Sequence, residues 1–271
     1  MRINTNLNAM IATNQMSKNT ALAGSSMEKL STGLRITKAG DDAAGLAVSE
    51  KMRAQIRGME QAERNVQDGI SMVQTAEGAL EEAGNIAQRM RELGVQAGND
   101  TLSEEDRTKV KAELTQLQDE MKKISEETKF NGKQLLNKAN VSFTIQAGAN
   151  SETRKVETAD LSSIANKLSL TSTSISNTAE AQAFVTKVDD ALKSINDARS
   201  ALGAMQNRLE YTANNLTTST ENLTAAESRI RDVDVAKEMV TLSKLNILNQ
   251  ASQAMVSQAK QQPESVSQLL R

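Results

Sequence analysis

The feature that most constrains this chain is a seven-residue apolar repeat that continues through its C-terminal third. Its first row consists of Val188, Ile195, Leu202, Leu209, Leu216, Leu223 and Ile230. Its second row, three residues later, consists of Ala191, Ala198, Met205, Thr212, Ser219, Ala226 and Val233. Because such a repeat matches about 3.5 residues per helical turn, it keeps one narrow stripe turned toward a partner helix. The repeat therefore predicts a long helix that needs a partner.

The N-terminal half carries a matching repeat in the same spacing. It consists of Met52, Met59, Val66, Val73, Leu80 and Ala87, with Gly94 next in phase. Two long helices with complementary apolar stripes bury those stripes by lying against each other. We therefore predict that the stretch from Val188 to Ile230 packs against residues 45–97.

The composition favours helices over a globular core. The chain of 271 residues has three Phe, one Tyr and no Trp, so Ala, Leu, Ile, Val and twelve Met must fill its interior. A single proline, Pro263, leaves long helices uninterrupted. The predicted fold is mainly α: an elongated antiparallel helical bundle or coiled coil, with the N- and C-terminal helices paired.

Several classes of function are disfavoured by what the composition lacks. With no Cys and no His, the chain has no disulfides, thiolate or imidazole metal ligands, or Ser-His triad, so we expect no enzyme and no cofactor. A net charge of −2 argues against nucleic-acid binding. No run approaches about 18 apolar residues, so we expect no membrane insertion. The residues Met1 to Leu7 lack the apolar core of a cleavable signal peptide, so export would need another route.

Turn and capping signals divide the N-terminal half into three predicted helices. The first lies within residues 1–40, where Gly33 and Gly40 stand at its expected end. Asp41 and Asp42 supply a cap for the second, which should run to about Ala97. The third follows Ser103, whose hydroxyl can cap it.

The region between the third helix and the long helix that carries the Val188–Ile230 repeat, called the seam helix, lacks a helical apolar pattern. Apolar residues alternate at Val141, Phe143 and Ile145. With Val156 beyond a Gly- and Asn-containing turn, this alternation predicts a short β-hairpin near 141–157. The Ser- and Thr-rich residues 169–178 predict a surface loop, and the seam helix should begin near Ala179.

The apolar pattern changes near Arg231. Beyond it, apolar positions spread around the helix at Val235, Met239, Leu242, Leu245 and Leu248. A helix that is apolar on several sides needs several neighbours, and pairing with residues 1–40 supplies one of them. We infer that other molecules cover the remainder. The short apolar tail of Val266, Leu269 and Leu270 fits a frayed end and equally a docking segment.

Four residues near the end of the second helix fall outside its apolar stripe. They are Arg89, Glu92, Leu93 and Gln96, at heptad positions c, f, g and c. These positions should point toward solvent or another subunit. Spacing alone favours a solvated charged face.

Motifs at both ends of the chain, in order, resemble those of bacterial flagellin. In the N-terminal half they are Ile3–Asn6, Leu30–Ile36, Asp41–Ala47, Asp68–Ser71, Gln74–Leu80 and Phe130–Gly132. In the C-terminal half they are Leu202–Ala204, Gln206–Leu209, Glu221–Ile230 and Ser267–Arg271. Only about fifty residues, 130–180, occupy the place of the large variable domains of many flagellins. The resemblance thus implies the short form with the core domains D0 (1–40 and 235–271) and D1 (41–234) alone.

The resemblance also implies a function and partners. The chain would be a secreted protomer of the extracellular helical filament used for motility. It would be exported unfolded by the flagellar type III apparatus with an export chaperone, and added near the filament cap and hook-associated proteins. The D0 assembly interface would include Leu7, Met16, Leu30, Val240, Ile247, Leu248 and Met255. The chaperone would dock on Val266, Leu269 and Leu270. Host Toll-like receptor 5 would recognise Arg89, Glu92, Leu93, Gln96 and Glu113.

Two alternatives share parts of this pattern. A hook–filament junction protein of the same family has similar termini, although the complete C-terminal block and the closing Arg271 favour flagellin. A signalling helical hairpin, like the cytoplasmic region of a chemoreceptor, also has heptads rich in Ala, Gln and Met. That alternative predicts no further assembly.

Overall fold

A computed structural model describes residues 6–137, 142–168, 175 and 177–269, with side chains up to residue 261. Its helices are α1 (Leu7–Thr32), α2 (Ala43–Ala97), α3 (Glu104–Glu127), α4 (Leu161–Lys167), α5 (Thr178–Arg231) and α6 (Val235–Leu269). Its strands are β1 (Lys129–Phe130), β2 (Lys133–Gln134), β3 (Ser142–Gln146) and β4 (Thr153–Glu157). Helices dominate these residues, which confirms the mainly α fold class. The short helix α4 was not predicted.

The chain forms two compact units. Unit 1 contains the residues through Gln55 together with those from Glu221 onward, and unit 2 is Ile56–Thr220. Both divisions fall inside helices, α2 and α5, so each of these helices contributes to both units. The boundaries of D0 and D1 given above remain a prediction.

In unit 2, α2 and α5 run antiparallel and side by side. Arg91 Nε donates a hydrogen bond to Asp189 Oδ1 at 2.6 Å. Thr217 Oγ1 donates to Glu63 Oε1 at 3.3 Å. Glu63 and Arg91 are separated by the same number of residues on α2 as Asp189 and Thr217 are on α5. The pairing therefore keeps one register through the unit, as a seven-residue repeat requires.

The first row of each repeat forms the core of unit 2. Each of these side chains is at most 1% exposed: Val66, Val73, Leu80, Ala87, Val188, Ile195, Leu202 and Leu209. In the second row, Ala191 is buried, whereas Ala198, Met205 and Thr212 are half-buried. The predicted seam is confirmed here, and most of its burial comes from the first row.

Two hairpins follow α3 in unit 2. Asn131 and Gly132 both have positive φ, 48° and 76°, which is the backbone of the tight turn that joins β1 to β2. Strands β3 and β4 pair antiparallel, with Phe143 opposite Val156, and this confirms the predicted hairpin within its described residues. The surface-loop interpretation of 169–178 is wrong at Ile175, which is 2% exposed; 169–174 and 176 lie outside the described residues.

The β3–β4 hairpin lies against two glycines of α2. A Cβ atom on Gly58 would come within 3.1 Å of the Cα atom of Ala149 at the hairpin tip. A Cβ atom on Gly69 would meet the side chain of Ile145. Asn65 Nδ2, between these two glycines, donates to the backbone oxygen of Gln146 at 3.3 Å. The missing side chains therefore let the hairpin approach the helix backbone closely.

In unit 1, α1 and α6 pair antiparallel, which confirms the predicted pairing of the terminal helices. Asn6 Nδ2 donates to Ala259 O at 2.6 Å, near one end of the pair. At the other end, α1 stops at Gly33, whose φ of 71° suits a helix C-terminus. Leu34 then forms an isolated antiparallel bridge with Asp232, in the break between α5 and α6.

Gly58 and Gly78 of α2 differ in their surroundings, and this difference gives a stability prediction. A Cβ atom on Gly78 would meet nothing within 4 Å, so Gly78→Ala should raise the free energy of unfolding by about 1 kcal/mol through helix propensity. Gly58→Ala should not raise the free energy of unfolding in this way, because the added Cβ atom would collide with Ala149 and displace the hairpin tip. Urea unfolding of both monomeric variants, followed by circular dichroism, measures the difference. An equal gain from both substitutions would contradict the close hairpin contact.

Candidate functional site

Unit 1 exposes an unusual amount of apolar surface on its two terminal helices. We call it the terminal-helix surface, and its residues are 39–71% exposed: Leu7, Met10, Ile11, Leu22, Met27, Val235, Met239, Val240, Ile247, Leu248 and Met255. Among the described residues, the other large apolar side chains with comparable exposure are Val48, Val95 and Tyr211. Exposed apolar surface is thus concentrated on α1 and α6, as expected for an interaction surface.

The contact between α1 and α6 is correspondingly poor in apolar side chains. Asn19 and Ser26 of α1 are buried, with 3% and 5% exposure. In the described parts of these helices, Leu245, with 8% exposure, is the only large apolar side chain that is buried, and Met16, Leu30, Leu242 and Val256 are half-buried. Asn19 is stabilised by a hydrogen bond that Gln15 Nε2 donates to its Oδ1 at 3.2 Å. The helix pair therefore leaves most of its apolar content available to other molecules.

Two grooves run along the terminal-helix surface. The first, of about 720 Å³, lies between α1 and α6, with Ile11 on one wall and Leu248 and Met255 on the other. The second, of about 450 Å³, follows α6 past Val240 and Lys244 and shares Leu248 with the first. Grooves of this kind accept the ridge of a neighbouring helix.

The predicted assembly residues divide into two groups. Leu7, Val240, Ile247, Leu248 and Met255 are exposed on the terminal-helix surface. Met16 and Leu30 are half-buried. For the predicted docking tail, Val266 and Leu269 lie within α6 but their side chains are outside the described set, and Leu270 lies outside the described residues.

Two arginines that the sequence did not single out hold unit 1 together where its helices break. Arg35 donates from its backbone N–H to Arg231 O at 2.7 Å and from Nη2 to Ile230 O at 2.5 Å. These carbonyls belong to the last turn of α5, where helical partners are lacking. Arg231 in turn pairs with Glu50 Oε1 of α2 at 2.5 Å. The sequence signal that could have pointed to Arg35 and Arg231 is their place beside predicted helix ends, where a polar side chain can bind the free backbone groups.

Beside this contact, a carboxylate organises the turn between α1 and α2. Asp41 Oδ2 accepts from the backbone N–H groups of Thr37 and Lys38, both at 3.1 Å, and from the Thr37 hydroxyl. These hydrogen bonds, that from the Lys38 N–H above all, lower the pKa of Asp41. These hydrogen bonds stabilise the conformation of the turn that connects α1 to α2.

Three of the five predicted receptor residues form a compact ionic cluster in unit 2. Arg89 lies 2.9 Å from Glu92 Oε2 on its own helix and 3.0 Å from Glu113 Oε1 on α3. Hydrogen bonds to Glu92 and then to Glu113 raise the pKa of the Arg89 guanidinium. All three side chains and Gln96 are exposed. We call Arg89, Glu92 and Glu113 the arginine cluster.

Leu93 departs from the sequence expectation. It was expected to face solvent or another subunit, but its side chain is only 2% exposed. The ion pair between Arg89 and Glu113 places α3 against α2 at this level. Helix α2 thus has neighbours on two sides and buries a second stripe, which includes Met90 and Ala97. The expectation that Leu93 is exposed is wrong for this reason.

The described residues contain no group of three or more His, Cys, Asp or Glu side chains that could hold a metal ion. No helix among them has the length and apolar character that crossing a membrane requires.

Comparison with known proteins identifies the family. The profile of the bacterial flagellin N-terminal helical region matches residues 3–141, and that of the C-terminal helical region matches residues 185–270. A flagellin of Halalkalibacterium halodurans is 53% identical and one of Bacillus subtilis 49% identical, each over the full length of both chains. The flagellar filament 33 kDa core protein of Treponema phagedenis is 44% identical, also over both full lengths. The chain therefore belongs to the bacterial flagellin family, whose members are structural filament proteins and not enzymes.

Proposed function

We propose that this chain is a protomer of the extracellular flagellar filament and that copies join through the terminal-helix surface. The observation that carries the proposal is the concentration of exposed apolar side chains on α1 and α6, whose mutual contact buries few large apolar side chains. Burying one Leu, Ile, Val or Met side chain contributes about 1.5–3 kcal/mol. Contact with other copies supplies that burial. The relationship to a filament core protein of Treponema phagedenis supports the same role.

The distribution of this surface favours an open polymer. The exposed residues of α1 differ from those of α6, so one copy can present α1 to the α6 of the next. Such a heterologous contact generates a filament when its rotation does not close a ring. In this proposal residues 1–40 and 235–271 form D0 at the filament core, and residues 41–234 form D1 around it.

Export and delivery follow from the same assignment. We propose that the subunit passes unfolded through the flagellar type III apparatus and joins the filament beneath its cap, beyond the hook-associated proteins. The sparse apolar core between α1 and α6 supports ready unfolding of this pair. The tail with Val266, Leu269 and Leu270 is the proposed docking segment for the export chaperone.

Assembly can be tested by removing or altering α6. Deletion of residues 236–271 should leave a soluble monomer that forms no filaments, because half of the terminal-helix surface is gone. Val240→Asp should also prevent assembly, since it places a carboxylate on an apolar contact. Electron microscopy after incubation under polymerising conditions, with sedimentation of the polymer, measures both effects.

Val240→Leu is the matched control, because it keeps an apolar side chain at the same exposed position. It should assemble as the unchanged protein does. Normal filaments from the truncated chain would rule out the terminal-helix surface as the assembly interface. Unchanged circular dichroism of Val240→Asp would show that its defect lies in assembly and not in folding.

We further propose that the arginine cluster is recognised by host Toll-like receptor 5. The exposed guanidinium of Arg89, held between two carboxylates, offers a fixed pattern of charge for a receptor. Gln96 lies two turns away on the same helix and is also exposed. Leu93 supports this surface from beneath, since its burial excludes it from direct contact in this conformation.

Receptor activation in a reporter cell line tests this assignment. Arg89→Ala and Glu113→Ala should each reduce activation by roughly tenfold or more, the loss expected for a charge-assisted contact of about 1.5–3 kcal/mol, while leaving the fold intact. Glu105→Ala on the exposed face of α3 is the control and should leave activation unchanged. Full activation by both cluster variants would remove this role.

A further inference from the structure

The methionines of the chain differ in exposure between the two units. Among the described side chains, the methionines that are more than half exposed all belong to the terminal-helix surface: Met10, Met27, Met239 and Met255, at 51–61%. The methionines in the core of unit 2 are at most 9% exposed: Met59, Met72, Met90 and Met121. Met16, Met52 and Met205 are half-buried. The thioethers that solvent reaches most freely are therefore those on α1 and α6.

Two of these exposed side chains line the grooves that a neighbouring helix can enter. Met255 lines the groove between α1 and α6 together with Ile11 and Leu248. Met239 lines the second groove beside Val240. A polar group introduced at either position would lie on a surface that copies must bury when they join.

Exposed thioethers are open to two-electron oxidants such as hydrogen peroxide. The sulfur lone pair attacks one oxygen of the peroxide, the O–O bond breaks, and proton transfer releases the other oxygen as water. The sulfur gains an S–O bond and is oxidised by two electrons, and the peroxide is reduced. The product, methionine sulfoxide, is polar where the thioether was apolar, and methionine sulfoxide reductases reverse the reaction.

We propose that Met10, Met27, Met239 and Met255 form a reversible oxidation site that controls whether a free subunit can join a filament. As thioethers they add apolar surface to the contacts between copies, whereas sulfoxides place unpaired polar oxygens there. The inference rests on the proposed assembly role of the terminal-helix surface. It does not require α1 and α6 to stay paired in the free subunit, because separated helices expose the same sulfur atoms at least as fully.

Peptide mass mapping after timed exposure to hydrogen peroxide tests the assignment of the site. In the free subunit, the four terminal-helix methionines should oxidise at least roughly tenfold faster than Met90 and Met121, because these two are buried. In preformed filaments the same four should oxidise roughly tenfold more slowly than in the free subunit, because contacts between copies cover them.

Polymerisation of the oxidised subunit tests the consequence. After the oxidant is removed, the critical concentration for polymerisation should rise roughly tenfold or more, the loss expected for burying an unpaired polar group. Methionine sulfoxide reductases A and B together should restore the original value. Met239→Gln with Met255→Gln places polar side chains of similar length in the two grooves, and this variant should reproduce the loss without oxidant.

The matched controls replace methionine by leucine, which is apolar and does not form a sulfoxide. The quadruple variant Met10→Leu, Met27→Leu, Met239→Leu and Met255→Leu should polymerise as the unchanged protein does, before and after treatment with peroxide. Met52→Leu with Met205→Leu removes two half-buried methionines outside the terminal helices and should leave the sensitivity to peroxide intact. Circular dichroism verifies that each treated sample keeps its helical content.

Three results would overturn the inference. The first is oxidation of the unit 2 core methionines as fast as that of the terminal-helix methionines. The second is an unchanged critical concentration after all four have been oxidised, and the third is equal sensitivity of the quadruple leucine variant. Failure of the untreated protein to polymerise would count against the proposed assembly role, whereas the oxidation map tests the site in either case.

Discussion

The antiparallel packing of α2 against α5 is the interaction on which the rest of the structure depends. Its seven-residue repeat fixes the register, and that register brings residues near opposite ends of the sequence together. Arg231 reaches Glu50 because α5 returns alongside α2, and Arg35 then reaches the last carbonyls of α5. The pairing of the two terminal helices begins from these contacts.

The terminal helices reverse the usual distribution of side chains. Asn19 and Ser26 lie inside their contact, whereas Ile11, Val240 and Ile247 face outward. In an isolated domain this arrangement would lower the free energy of unfolding, because apolar burial is the main favourable contribution to folding. In a subunit that completes its core with other copies, the same arrangement supplies the energy of assembly. This links the packing of unit 1 to the filament role that we propose.

The residues around Arg89 show which side-chain exposures a heptad analysis predicts correctly and which it does not. A helical wheel correctly predicted that Arg89, Glu92 and Gln96 lie outside the seam and are exposed. It misplaced Leu93, because a heptad analysis considers one partner helix and α2 has two neighbours. The ion pair from Arg89 to Glu113 joins residues of different helices, and a pattern along one helix contains no information about such a contact.

The sequence by itself determined the long helices, the seam, the hairpin near 141–157 and the surplus of apolar positions beyond Arg231, because these depend on local periodicity and backbone preference. Its motifs also determined the family. Only the tertiary structure decided which side of each terminal helix is covered, where Arg35 and Arg231 bind, and that Ile11 of α1 shares a groove with Leu248 and Met255 of α6. Burial and charge pairing depend on which elements meet in space, and a repeat in one helix cannot specify its second neighbour.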